Sequence, residues 1–397
     1  ARATDARLWP EADLAAGASW SRRESGDETT YSNLYAVGVA ASYEVDLWSR
    51  LRSTKRAAWL DVQAQRDAVD TAAITVVASI ASTWFQLGEA KDLLRISRHQ
   101  VEINEQVLDI VTVQFRKGVA SAADVLRQQQ LIAATQAQET SASETVELLQ
   151  YMLSVLIGKR PELAWQQTSV YASELPPAPA LGLPADLLWR RPDVRRAYRR
   201  VQAADQRLAV AIADQYPRLS LSAGVETSAA SVHDLFDDWV ANLAANAVQP
   251  LFDGAQRKSE VKRQEAIVSE AIHVWGQTIL EALQEVETAL TQERQQTELL
   301  ENLTHQLELA GQTYQRNKER FVKAQTDYIR VLESLQSLQG LERELVRARR
   351  ILFERRVDLC RAIAGGWELP EPALAGMTNV SESRTAGGDG GGDTVNK

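Results

Sequence analysis

Apolar and polar positions follow two rhythms along this chain, and each rhythm occurs twice. From Leu34 to Val45 the period is two: Tyr35, Val37, Val39, Ala41 and Tyr43 fall on one face, and Leu34, Ala36, Gly38, Ala40 and Ser42 on the other. That period belongs to a β-strand. A shorter alternating stretch, Leu14 to Trp20, precedes it across a polar segment rich in Ser, Gly, Asp and Thr. A strand, a loop and a strand are therefore expected, at about residues 12–20 and 34–46. Arg218 to Thr227 and Val240 to Phe252 repeat the arrangement and predict strands at about 218–227 and 240–252. After each strand pair the period lengthens. Ile80, Leu87, Leu94, Val101, Leu108 and Phe115 recur every seven residues, as do Leu300, Leu307, Tyr314 and Phe321. The stretches that carry them, from about Ser49 to Lys117 and Ala255 to Lys323, contain no proline. Each is long enough for a helical rod of about 100 Å, and a heptad seam of that length requires partner helices beside it. Both rods break, at Lys117-Gly118-Val119-Ala120-Ser121 and Lys323-Ala324-Gln325-Thr326-Asp327, and a returning helix follows each break.

The two halves correspond at an offset of 206 or 207 residues. Leu8-Trp9-Pro10 is answered by Gln215-Tyr216-Pro217, and Gln114-Phe115-Arg116-Lys117 by Arg320-Phe321-Val322-Lys323. This is a duplicated supersecondary unit. The first repeat spans 1–160, with a helical hairpin at about 49–158, and a proline-rich connector spans 161–185. The second repeat spans 186–367, with a lead-in helix from roughly Asp186 to Asp214 and a hairpin at about 255–364, before a Gly/Ser/Thr-rich tail at 368–397 expected to be disordered. Set against the second copy, the first is N-terminally incomplete, with about thirty residues of its lead-in expected before Ala1.

Composition narrows the function. The chain is 45% hydrophobic but only 6% aromatic, as long helices are, and its net charge of −9 lacks a basic face, so no nucleic-acid partner is expected. Cys360 is the only cysteine and the four histidines are scattered, so no disulfide framework, metal site or cofactor is expected. Nucleophile elbows, phosphate loops and His-Glu-x-x-His motifs are absent, which argues against an enzyme. No run of about 18 apolar residues predicts a transmembrane helix, a test that does not address a β-barrel. Tyr35 and Tyr43 end an apolar strand face about 27 Å long, near the height of the apolar band of an outer-membrane barrel. With Trp9, Trp20 and Trp239 they read either as membrane-interface aromatics or as the packing of an ordinary soluble sheet. Four strands cannot close a membrane barrel, whereas three chains would supply twelve.

Several phrases in order resemble the TolC-like outer-membrane efflux proteins: Leu183-Pro184-Ala185-Asp186-Leu187-Leu188-Trp189-Arg190-Arg191-Pro192-Asp193-Val194, Tyr216-Pro217-Arg218-Leu219-Ser220-Leu221, Tyr43-Glu44-Val45-Asp46-Leu47-Trp48 with its counterpart Gln249-Pro250-Leu251-Phe252-Asp253-Gly254, and Ala364-Gly365-Gly366-Trp367. The Arg-Arg-Pro-Asp-Val phrase is most similar to the branch serving resistance-nodulation-division pumps. The resemblance implies a mainly α fold with a small β part. Duplicated helical hairpins would form a trimeric α-helical barrel, capped by a shared twelve-stranded transmembrane β-barrel to which each chain gives four strands. It further implies a passive exit duct in the outer membrane, reaching into the periplasm, that works as a homotrimer with a periplasmic adaptor and an inner-membrane pump. By that resemblance the helix breaks form the periplasmic tip. Phe115, Gly118, Asp124 and Leu126 fall in one tip and Phe321, Ala324 and Leu332 in the other, with Arg330 and Glu333 at the two pore-constriction positions that are commonly both acidic. Gly118 suits a reversal that needs positive φ, whereas Ala324 predicts a strained or differently shaped turn. The competing reading is a soluble or peripheral coiled-coil scaffold.

Overall fold

The computed structural model describes residues 2–25, 28–161, 175 and 189–363. The connector at 161–185 and the tail at 368–397 lie almost wholly outside these residues. In chain order the described elements are α1 (Arg2–Ala6), β1 (Glu11–Ser25), β2 (Glu28–Val45), α2 (Arg50–Arg116), α3 (Ala122–Leu156), α4 (Pro192–Ala213), β3 (Arg218–Ala229), β4 (Val240–Val248), α5 (Gln256–Val322) and α6 (Tyr328–Ile363). The duplication is visible in the backbone. α1 ends at Ala6 and α4 at Ala213, while α2 and α5 each have 67 residues.

The strands form one antiparallel sheet in the order β1-β2-β3-β4, leaving β1 and β4 as edges. Three strand boundaries differ from expectation. The polar segment between Trp20 and Leu34 is no loop: β1 runs to Ser25 and β2 starts at Glu28, pairing Ser25 with Glu28. Its backbone groups are still paired along the ribbon, so polarity alone did not mark a turn. At the other end β4 stops at Val248, short of Phe252, because Pro250 lacks the N–H that the ladder needs.

Each strand pair turns sharply into its rod through a residue with positive φ, Ser49 (60°) and Ala255 (67°). Asp46 caps the first rod by accepting from the N–H groups of Leu51 at 2.9 Å and Arg52 at 3.0 Å, and Asp253 accepts from Arg257 N–H at 3.3 Å in the second. A carboxylate at a helix N-terminus meets unpaired N–H groups and the positive end of the macrodipole. The lead-in helix α4 lies between the two rods. Arg191, which precedes it, donates to the Ala362 carbonyl at the end of α6 at 2.8 Å and pairs with Asp193 at 2.7 Å and Glu285 of α5 at 2.8 Å. Burial pushes the Asp193 carboxyl up, but Arg191 and the backbone N–H groups at the helix start together hold the pKa below the usual range. The Arg-Arg-Pro-Asp-Val phrase thus staples three helices.

The heptad reading holds in the second rod, where Tyr314 and Phe321 are buried and Leu300 and Leu307 pack around Leu303. In the first rod it holds at Leu87, which is fully buried, but is shifted toward the tip. The most deeply buried positions near the tip are Gln100, Asn104, Val107, Val111 and Gln114, not Val101, Leu108 and Phe115. α2 is wedged between α3 and α6, so its deepest stripe is part polar and invisible to an apolar count. One further expectation fails. An 18-residue window of α2 reaches a mean hydropathy of 1.4, apolar enough by composition to cross a membrane, yet only 6% of it is buried within the chain. Val62, Val69 and Val76 stand exposed at heptad spacing on that rod, a seam with no cover among the described residues.

Candidate functional site

Register sorts the sheet into two faces, since paired residues share a side. One face carries Leu14, Trp20, Tyr31, Tyr35, Val37, Val39, Tyr43, Leu221, Val225 and Leu243; the other carries Ser19, Ser21, Gly38, Ala40, Ser42, Ser222, Gly224, Glu226 and Asn242. Among the described residues no helix covers the apolar face: Leu243 is 83% exposed, Leu14 74% and Trp20 65%. A patch of that size left to water would be costly, which marks it as a surface for lipid or protein. Its outer end is an aromatic pair, Trp20 stacked on Tyr31 at 5.9 Å with the Arg22 guanidinium over the Tyr31 ring. At the end near the rods, Trp48 stacks on Tyr216 at 4.8 Å and donates to the Pro217 carbonyl. Tyr31 went unrecognised because Thr, Ser and Asn surround it. Tyr31 and Tyr43 are twelve residues apart, which at about 3.4 Å rise and about 40° tilt spans about 30 Å of barrel height. Tyr35 lies inside this band, and Trp239 directly precedes β4.

At the far end of the rods the two breaks share one backbone. Gly118 has φ 76° and Ala324 φ 58°. The N–H of Gly118 donates to Phe115 and that of Ala324 to Phe321, both at 2.9 Å. The second turn is therefore not differently shaped; Ala324 adopts the left-handed conformation that glycine tolerates more cheaply. The side chains diverge. Ser121 and Asp124 form a capping box at the start of α3, with Asp124 also accepting from Arg127 at 3.0 Å. Burial pushes the Asp124 carboxyl up, but the Ser121 hydrogen bonds and the Arg127 charge together hold it below its usual value. Arg330 occupies the equivalent position in the second tip. It is exposed, as is Glu333, and among the described residues no ion pair joins the two.

Phe115, Leu126 and Val119 are exposed around the first break, whereas Phe321 is 2% exposed in a cluster with Val107, Val111, Tyr328 and Val331, against which Leu332 packs. Phe115 and Phe321 are each expected at a tip and as the last seam residue of a rod; Phe321 is a core residue within one chain, as the seam reading has it, whereas Phe115 is 45% exposed. Tyr328, its ring 5.8 Å from that of Phe321, donates to Gln128 at 2.5 Å, and Gln114 donates to the Val322 carbonyl, tying one tip to the other. Above the tip a buried polar ladder continues this bond: Gln128 to the Asn104 carbonyl, Asn104 to Thr135, Gln339 to Asn104 and Gln100 to Glu342. Buried amides need such partners, so the ladder fixes how the two hairpins are aligned. It went unread because Gln and Asn at seam positions look like surface residues. Among the described residues no group of three His, Cys, Asp or Glu is placed to hold a metal.

A sheet apolar on one side and polar on the other, open at both edges and continued by long rods, defines a subunit of a membrane channel with a helical extension. The chain belongs to the outer membrane efflux protein family, which matches residues 1–159 and 183–365. It is 28% identical over 379 residues to the pyoverdine export outer membrane protein OpmQ of Pseudomonas aeruginosa, covering 93% of this chain and 80% of that protein. It is 24% identical to the cation efflux system protein CusC of Escherichia coli, covering 92% and 80%. A solved CusC structure superposes with a TM-score of 0.87 at 22% identity over 92% of this chain and 85% of that one. The outer membrane protein VceC of Vibrio cholerae gives 0.85 at 21% identity over 92% and 90%. The chain is therefore an outer-membrane efflux channel, a passive duct and not an enzyme, and the relatives lend no support to a soluble scaffold. Family members form trimeric channels that act with an adaptor and an inner-membrane pump.

Proposed function

We propose that three copies of this chain form the duct. Their strands close a twelve-stranded barrel in the outer membrane and their rods continue as one tube through the periplasm. The observation that carries this reading is the pair of open sheet edges beside an uncovered apolar face, because an open edge in lipid leaves unpaired backbone groups and only closure removes it. The exposed Val62, Val69 and Val76 stripe supplies a matching seam for a neighbouring rod. The tips are the gated end. Phe115, Gly118, Asp124 and Leu126 present the adaptor-docking surface, with Phe321 shaping the second tip from within and Ala324 at its exposed turn. Arg330 and Glu333 form the constriction, where adjacent rings of opposite charge weaken cation preference relative to an all-acidic ring. The cargo is small molecules delivered by the pump. Relatives named for pyoverdine, toluene and cation export fit a duct whose substrate is chosen upstream. Purified protein in a planar bilayer should give discrete conductance steps, and a preparation that inserts without conducting contradicts the reading.

A further inference from the structure

The polar face of the sheet carries charge of one sign at the level of the membrane. Three successive rows of the register are Glu11, Ser42, Ser222 and Ala244; then Asp13, Ala40, Gly224 and Asn242; then Ala15, Gly38, Glu226 and Val240. Each row holds one carboxylate and no cation. The next acid toward the rods, Glu44, is neutralised by Arg50 through contacts of 2.7–3.0 Å. The basic residues of this face are remote or engaged: Arg218 pairs with Asp214 at 2.6 Å, and Arg23 lies eight residues beyond Ala15 on β1, about 27 Å along the strand. Around the acids the wall is mostly Ala, Gly and Ser, with Asn242 and Val240 contributed by β4. At Gly38 a Cβ would stand 3.0 Å from that of Glu226, so the neighbouring strand leaves space for this side chain.

We propose that Glu11, Asp13 and Glu226 form a selectivity collar inside the barrel, which enriches cations and depletes anions in the duct independently of the tip. The assignment rests on the trimeric barrel reading, under which the polar face lines the bore and three chains supply three acids each. Twelve strands about 4.8 Å apart at about 40° tilt give a backbone radius of about 12 Å. The screening length is about 10 Å in 0.1 M salt, so the field of the collar reaches across the bore, but it is about 3 Å in 1 M salt, where it cannot. The carboxylates lie within about 14 Å of strand length, close enough for their potentials to add. With Arg330 beside Glu333 at the tip, charge discrimination in this chain belongs to the barrel.

Because the narrow tip dominates electrical resistance, the test reads the potential locally. Ala40→Cys, made in a Cys360→Ser background, puts a thiol on the row of Asp13. Its rates with a cationic trimethylammonium and an anionic sulfonate methanethiosulfonate are each divided by the rate with a small free thiol, and the ratio of the two cancels any change in the thiol itself. In 0.1 M salt the ratio should exceed one by about fivefold or more, falling toward one in about 1 M salt. Glu11→Gln, Asp13→Asn and Glu226→Gln together should bring it near one at either salt concentration. Glu226→Gln alone should lower it part way, which keeps the test open if the triple variant does not assemble. A ratio that is the same with and without the acids overturns the collar while leaving the duct intact. A thiol that neither reagent reaches, in protein that still forms closed barrels, overturns the lumenal facing of this surface and the collar with it.

Discussion

At the first hairpin tip Phe115 is 45% exposed and Asp124 closes a capping box; 206 residues on, Phe321 is 2% exposed and Arg330 stands where the acid stood. The backbones of the two tips agree in their left-handed residue and in the hydrogen bonds that end each rod. Duplication has therefore kept the turn and reassigned the side chains. The second tip is anchored inside its own chain, by the Phe321 cluster and the Tyr328 bond to Gln128, whereas the first turns Phe115, Val119 and Leu126 outward. The two tips thus differ in where they seat the aromatic, although Val322 and Ile329 are exposed at the second tip as well.

The largest expected effect comes from emptying the second tip. Phe321→Ala should destabilise the tip by about 3 kcal/mol or more, as loss of a buried aromatic does, while Phe115→Ala should cost below about 1 kcal/mol. Hydrogen exchange of the amides flanking each break measures both, and equal protection losses would erase the distinction. The shared turn gives a smaller pair of effects with opposite signs. Ala324→Gly should stabilise by about 1 kcal/mol and Gly118→Ala should destabilise by a similar amount, because only the alanines carry a Cβ in the left-handed region. Melting of the purified channel under fixed detergent conditions reports the signs.

The capping box adds a pH dependence confined to the first tip. The Asp124 carboxyl is held below its unfolded value, so its stabilisation is complete above about pH 4 and is lost as pH falls through the depressed folded value. Asp124→Asn should cost about 1 kcal/mol at pH 7, and this difference should shrink below about pH 4. A difference that stays constant from pH 7 to pH 3 would assign the effect to something other than the charge. The smallest expected effect is at Arg330: Arg330→Asp should shift the bilayer reversal potential toward cations, and an unchanged value would remove this residue from the constriction.

Periodicity carried most of this fold because long rods and alternating strands leave their rhythm wherever one face is apolar. Tyr35, Val37, Val39, Ala41 and Tyr43 share one face by their alternation alone, and the register agrees. What stayed hidden was structure built from polar residues. The Ser- and Thr-rich ribbon up to Ser25 and from Glu28 read as loop, Tyr31 was lost within it, and Gln100, Asn104, Gln128 and Gln339 gave no sign of filling a buried seam. Their burial depends on a third helix arriving from more than 200 residues away, which no local pattern encodes. The opposite burial of Phe115 and Phe321 was equally illegible, since both sit at the same phase of the same repeat.

Closure of the barrel between copies is the claim on which the rest stands, and end-on electron-microscopy averages of the detergent-extracted protein test it most directly. The account predicts rings with threefold symmetry, and side views of tubes well over 100 Å long. Monomeric rods, or particles of any other rotational symmetry, would contradict it.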